Sequence, residues 1–237
     1  MSIRAVIFDR DNTLLHFDPA AVAAIEARVA QAAPALPISA VNQHWLSWAG
    51  PWPSTRAAEA DFWNAFWLSL ARQHNLQPHE TAALAHISSF YHTCFAAFPD
   101  TAACLANLRA RGLRLAVLTN FELPSVDLTF QHAGVDPDQF EVLLSSASTG
   151  LFKPNPLAYL AAADALNLRA GECAFVDDLP ENVDAARALG MAAWLIDREH
   201  RPARWNGARI HSLSELAELL DKSMHPTYQP FSNTLAS

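Results

Sequence analysis

Short apolar runs recur along the chain and end abruptly in polar residues. Ala5 to Phe8, Leu115 to Leu118, Glu141 to Leu144, Cys173 to Val176 and Ala192 to Ile196 have the length of buried strands and are too short for ordinary helices. Between the later runs lie segments with helical start and stop signals. These are Thr101 to Arg111 closed by Gly112, Ser125 to Ala133 closed by Gly134, Pro156 to Leu168, and Leu179 to Leu189 closed by Gly190. A last helix is predicted from Ser214 to Leu220. Strand and helix in alternation predict an α/β fold built on a doubly wound, Rossmann-like parallel sheet.

The alternation breaks once, from Phe17 to Ala97, where every segment reads as helix. Asp18 caps a helix that begins at Pro19 and reaches Ala33, with Pro34 and Pro37 ending it. Ser39 opens a second helix through Trp48, and Gly50-Pro51-Trp52-Pro53 is a firm break. A third helix is predicted from Ser54 or Thr55 to about Asn75, and a fourth from Pro78 to about Phe95. Residues 1–16 and 98–221 therefore form the predicted α/β core, residues 17–97 an inserted all-helical cap, and residues 222–237 a loose tail. An insertion after the first strand hangs over the carboxyl end of the sheet, where a lid can shape a pocket and exclude water. Five of the seven tryptophans lie in the insertion: Trp45, Trp48, Trp52, Trp63 and Trp67. Most read as the cap's own core. Trp48 and Trp52 flank the proline-rich break and are candidates to line a pocket mouth.

Polar residues at the strand ends carry the candidate chemistry, because ligands of open α/β sheets bind just beyond the carboxyl ends of the strands. The first strand ends in Asp9, Arg10, Asp11, Asn12 and Thr13; the second in Thr119 and Asn120; the fourth in Asp177 and Asp178. Lys153-Pro154 precedes a helix start. Lys153 stands out because only two of the 16 basic residues are lysine, the other being Lys222. Four carboxylates converging on one sheet edge cannot all ionise without a counter-charge. A hard divalent cation answers that need, and Mg²⁺ favours one or two carboxylates together with water and phosphate oxygens.

Net charge is −8 with no basic run, which argues against nucleic acid and anionic membrane surfaces as partners. Cys94, Cys104 and Cys173 show neither metal-site nor redox-pair spacing. No apolar run approaches the ~18 residues of a membrane span. The N-terminus runs straight into the first strand, which leaves no room for a signal peptide and predicts a cytoplasmic protein.

Four stretches in order resemble the motifs of the haloacid dehalogenase-like phosphatases, of the phosphoglycolate phosphatase-like type. They are Asp9-x-Asp11-x-Thr13 after a strand, a strand ending in Thr119, Lys153-Pro154, and Asp177-Asp178 followed by Asn182 and an Ala-rich helix ending Leu189-Gly190. The resemblance spans residues 3 to about 220. It implies Asp9 as the nucleophile that forms an aspartyl-phosphate, and Asp11 as the acid and then the base. It also implies Mg²⁺ held by Asp9, the Asp11 backbone carbonyl and Asp178, with Asp177 assisting. Lys153, Thr119 and Asn120 would contact the phosphoryl group.

Two positions depart from the family pattern. Asn12 stands where Gly is common, and Asn tolerates left-handed backbone better than most residues. Arg10 replaces an apolar residue and either points to solvent or touches the distal end of a substrate. The expected partner is a small phosphate ester, and the expected assembly a monomer or homodimer.

Other readings remain open. A sugar-phosphate mutase differs only in the acceptor hydroxyl. A haloacid dehalogenase needs no acid at position 11, because a halide leaves without a proton. A phosphonate hydrolase of this family needs a cap lysine, and residues 17–97 contain none. A receiver-type signalling domain phosphorylates an Asp on a similar sheet but carries no such insertion. Within the cap, Arg56 is the expected cation at the pocket. With few cap cations, a small or partly apolar leaving group is expected.

Overall fold

The structure, a computed structural model, describes residues 2–199 and 208–224. Its centre is β1 (Ala5–Phe8), fully buried and without a single polar side chain. β1 pairs in parallel with both β4 (Arg114–Thr119) and β6 (Cys173–Asp177), so every backbone group along it can enter a ladder. β5 (Val142–Ser145) extends the sheet beyond β4, and β7 (Ala192–Ile196) and β8 (Arg209–Ile210) extend it beyond β6. The order is β5-β4-β1-β6-β7-β8, all parallel. The chain builds outward from β1 on one side, then crosses back to build on the other. That reversal places a topological switch point at β1, the usual location of a ligand crevice.

The period-2 alternation of strand side chains feeds two cores. Val6, Phe8, Val117 and Val176 point to one face, against Leu105 and Leu108 of α5 (Thr101–Ala110), Phe130 of α6 (Val126–His132) and Leu216 and Leu220 of α10 (Leu216–Met224). Ile7, Ala116, Leu118 and Phe175 point to the other, against Tyr159 and Ala162 of α8 (Pro156–Ala165) and Val183 and Ala186 of α9 (Pro180–Ala188). Burial on both faces explains why these strands read as unbroken apolar runs. α10 reaches four residues beyond the predicted Leu220. The rest of the expected tail, residues 225–237, lies outside the described residues.

The insertion is helical as expected, with α1 (Pro19–Ala32), α2 (Ile38–Leu46), α3 (Arg56–His74) and α4 (Pro78–Ser88). Its two connections to the core differ from the prediction. Leu15–Phe17 is a strand, β2, and Phe95–Ala97 is another, β3; they pair antiparallel, and the last cap helix stops at Ser88, short of the expected Phe95, with a 3-10 turn at Tyr91–Cys94 leading into β3. The ribbon is three residues per strand, too short for periodicity to register. It fixes how the cap sits on the core.

The cap has its own aromatic core, in which Phe62 and Phe66 of α3 meet Trp45, Trp48, Trp52 and Trp63. Trp48 and Trp52, expected at a pocket mouth, are half-buried and pack against this core. Trp52 stacks on Phe62 with centroids 5.2 Å apart, and Trp48 packs on Phe62 and Phe66. Rings of this size dominate the energetics of a small core, so these contacts contribute to the cap's own stability.

Candidate active site

The turn after β1 brings the first acids together. Asp9 is still in ladder register, its amide donating to the Val176 carbonyl at 2.8 Å. The chain then reverses through Arg10–Leu15, with the Leu14 and Leu15 amides both donating to the Arg10 carbonyl at 3.0 and 2.9 Å. Asn12 takes φ of 54°, the left-handed region expected for it, and its side-chain amide donates to Asp178 Oδ2 at 3.2 Å. Asn12 therefore ties the first turn to the turn after β6.

Asp9, Asp177 and Asp178 each present a carboxylate oxygen within 4.8 Å of the others. Lys153 lies among them, buried, with its ammonium 2.6 Å from Asp9 Oδ1 and 2.7 Å from Asp177 Oδ2. Burial alone would lower the Lys153 pKa, but the carboxylates of Asp9 and Asp177 outweigh it and raise it, so the ammonium is held charged. Burial pushes the Asp9 carboxyl well above the usual carboxylate range, and Asp177 and Asp11 push it the same way against the pull of Lys153. Burial and Asp177 likewise raise Asp178 to about 6. Three acids share one buried lysine, and the site is short of positive charge.

Asp177 uses both of its oxygens. Oδ1 accepts from the Leu179 amide at 2.9 Å and from Asn182 at 3.0 Å, while Oδ2 accepts from Lys153 and Asn182. Its geometry is that of a residue that orients Lys153. Asp9 Oδ2, by contrast, is buried with no hydrogen-bond partner among the described residues, an expensive arrangement for a carboxylate oxygen. This orphan, together with half-buried Asp178, fits a hard divalent cation, which takes one or two carboxylates and completes its shell with water and substrate. The cation would be held directly by Asp9 and Asp178, with Asp177 behind Lys153.

Thr119 ends β4 with its hydroxyl buried and without a partner among the described residues, placed to bond an oxygen brought into the site. The Asn120 side chain is engaged by the Lys153 backbone. Its side-chain amide donates to the Lys153 carbonyl at 2.8 Å, and its side-chain carbonyl accepts from the Lys153 amide at 2.7 Å. This two-way clasp fixes the loop that delivers the lysine.

Arg10 neither points to solvent nor reaches outward. It is 1% exposed, and its guanidinium donates to both oxygens of Asp11, at 2.8 and 2.9 Å from Nη2. Asp11 is the more open partner, with 39% of its side chain exposed. Arg56 is committed elsewhere, paired with Asp127 of α6, and so bridges cap and core. A buried polar chain also crosses that boundary: the Ser125 hydroxyl lies 2.5 Å from the Tyr91 hydroxyl and donates to the Glu59 carboxylate of α3. Nothing in the spacing of Glu59, Tyr91 and Ser125 marks them as partners. Asn182 is different: its place four residues after Asp178, on the first turn of α9, was a visible signal for a residue aimed back at the acids.

Comparisons with known proteins agree with this arrangement. Residues 3–190 match the haloacid dehalogenase-like hydrolases. The chain is 32% identical over 222 residues to phosphatase MT3486 of Mycobacterium tuberculosis, covering 93% of this chain and 98% of the relative. It is 27% identical over 231 residues to (S)-2-haloacid dehalogenase 4A of Burkholderia cepacia, covering 94% and 97%. Among solved structures, a 2-haloacid dehalogenase from Pseudomonas syringae pv. Tomato DC3000 superposes with a TM-score of 0.70 at 24% identity, covering 93% of this chain and 99% of that one, a likeness of fold.

Proposed function

The chain belongs to the haloacid dehalogenase-like hydrolase family, and from that premise we propose that it is a Mg²⁺-dependent phosphatase acting on small phosphate monoesters. The observation that carries this reading is the cluster of Asp9, Asp177 and Asp178 around one lysine, with an unpaired Asp9 oxygen. A cluster so short of positive charge suits a site where cation and phosphate dianion arrive together.

The chemistry follows from the residues. The Asp9 carboxylate attacks phosphorus; the bond from phosphorus to the ester oxygen breaks, leaving an aspartyl-phosphate. Asp11, two residues along the same turn, gives its proton to the departing oxygen. It then takes a proton from water as the water attacks phosphorus, releasing phosphate and restoring Asp9. Lys153 offsets charge on the phosphoryl oxygens while remaining bonded to Asp177, and the Thr119 hydroxyl donates to one of them. When bound, Mg²⁺ supplies the positive charge that lets an anionic ester approach an anionic nucleophile.

The leaving group is small or partly apolar. Arg56, the expected cap cation, is engaged by Asp127. Phe152 and Leu179, adjacent in sequence to Lys153 and Asp178, are exposed apolar side chains at 50% and 40%.

A second reading, dehalogenation of a 2-haloacid, is favoured by the similarity to the Burkholderia enzyme across nearly the whole chain. It would also use Asp9 as nucleophile, but it leaves Asp11 without a task, since a halide needs no proton. Parallel assays separate the two: phosphate release from aryl phosphates and phosphoglycolate with Mg²⁺, and halide release from 2-chloropropionate. Phosphate release that is abolished by EDTA and by Asp9→Asn is expected. Halide release without phosphate release would overturn the phosphatase reading.

A further inference from the structure

The proposed reaction leaves Arg10 unexplained. Its side chain fills a slot between aromatic rings, with Cζ 3.7 Å from the Phe121 centroid and 4.4 Å from the Phe95 centroid. The two rings stand nearly perpendicular, at 86°, so the guanidinium sits in the corner they make. An apolar side chain would fill such a corner without the cost of removing a charge from water. The charge has one ionic partner among the described residues, Asp11, and meets it as a fork, with Nε at 3.2 Å and Nη2 at 2.8 Å from Oδ1 and Nη2 at 2.9 Å from Oδ2. Its remaining contact, Nη1 to Thr129 Oγ1, is long at 3.4 Å.

The slot is built by the parts that join cap to core. Phe95 opens β3, the strand on which the chain returns from the cap. Phe121 follows β4 and also packs on Tyr91, whose hydroxyl lies beside Ser125. Asp11 is partly exposed and short, and on its own could adopt several orientations. Arg10 is immobilised by its surroundings and selects one.

The geometry points to Arg10 as a positioning residue for proton transfer by Asp11, with the guanidinium fork setting the carboxylate's orientation and the Phe95–Phe121 corner making that orientation depend on how the cap is seated. The assignment rests on the phosphatase reading, and it deepens that reading by tying the acid to the cap. Lysine at position 10 would keep the charge but lose the planar fork and its stacking.

The test compares full-length wild type, Arg10→Lys, Asp11→Asn and the double variant with Mg²⁺, on phenyl phosphate and 4-nitrophenyl phosphate. Phenolate leaves poorly without a proton, whereas nitrophenolate leaves well. Since general acid catalysis contributes about 10²- to 10⁴-fold, and kcat/KM reports only the steps through departure of the phenol, Arg10→Lys is expected to lower kcat/KM on phenyl phosphate at least ~10-fold and on 4-nitrophenyl phosphate under ~3-fold. In the Asp11→Asn background, Arg10→Lys should add nothing. Phe121→Leu, which loosens the corner while keeping Arg10, should give the same leaving-group-selective loss in smaller degree, and it serves as the test if Arg10→Lys does not fold. Equal losses on both esters, or a full additional loss in the Asp11→Asn background, would overturn the assignment. A wild-type protein that hydrolyses neither ester, nor any other phosphate monoester, refutes the phosphatase reading itself, and Arg10's role with it.

Discussion

Replacing Lys153 by methionine tests the charge balance on which the site depends. The ammonium is 2.6 Å from Asp9 and 2.7 Å from Asp177, all three groups are buried, and methionine keeps the length of the chain without the charge. At an effective dielectric of about 20, each contact is worth ~6 kcal/mol of attraction, and the two carboxylates, within 4.8 Å of each other, repel by at least ~3 kcal/mol. Most of that attraction offsets the cost of taking the ions out of water, so the balance is far smaller than the sum. What remains when one partner is deleted is the penalty of an uncompensated buried charge, roughly 3–5 kcal/mol. Against a typical total stability of ~5–15 kcal/mol that is a large share, and for a chain of this size it corresponds to a fall in Tm of roughly 6–20 °C.

Urea unfolding of wild type and Lys153→Met at pH 7 measures the loss directly, provided the m-value is unchanged. Adding Mg²⁺ should narrow the gap, because the cation replaces part of the missing charge and binds the native state alone. Phosphatase turnover should be lost whether or not stability is restored. A variant within ~1 kcal/mol of wild type, or more stable than it, would refute the reasoning, since Asp9 and Asp177 could then not be ionised together in the native protein.

Three further outcomes are expected. A Cβ built on Gly50 would lie 2.3 Å from the Trp48 ring, so Gly50→Ala should displace Trp48 from Phe62 and Phe66, costing about 1–3 kcal/mol and shifting tryptophan emission; an unchanged melt and spectrum would count against the aromatic core described for the cap. Burial alone would raise the Asp100 carboxyl, but hydrogen bonds from Arg198, Ser212 and the Leu213 amide hold it below its usual range, so its stabilisation is present above the unfolded value of about 4 and is lost as pH falls through the lower folded one. Asp100→Asn should accordingly cost roughly 1–2 kcal/mol at pH 7 and progressively less below about pH 4, read from denaturation midpoints across that range. Arg56→Ala, which frees Asp127 at the boundary of cap and core, should leave the melting temperature within ~3 °C of wild type, because the pair is half-exposed and screened; a larger loss would mean that this contact carries the docking of the cap.

Much of the fold was legible in the chain because local physics wrote it there. Runs such as Ala5–Phe8 are apolar throughout, since a strand covered on both faces has no polar side to show, and the acids fall where those runs stop. The Gly50–Pro53 break and the Pro78 start delimited cap helices for the same local reason. Asp9, Asp177, Asp178 and Lys153 could be placed together in advance because parallel strands must deliver their carboxyl ends to one edge. What tertiary structure alone decided is which polar groups found each other. Asp177 and Asp178 are neighbours of the same type, yet the fold gives one both oxygens to Asn182, Lys153 and Leu179 and leaves the other half-exposed beside Asn12. Asn120 clasps the Lys153 loop, Trp48 and Trp52 pack on Phe62, and Arg10 enters an aromatic corner supplied by residues 85 and 111 positions away. The ribbon of β2 and β3 closes a loop across the whole cap, and its three-residue strands carry no period to read. Spacing along a chain records which face a residue occupies within its own element; it does not record which distant element will meet that face, and in this protein those meetings determine the carboxylates' bonds, the lysine's fixity and the orientation of Asp11.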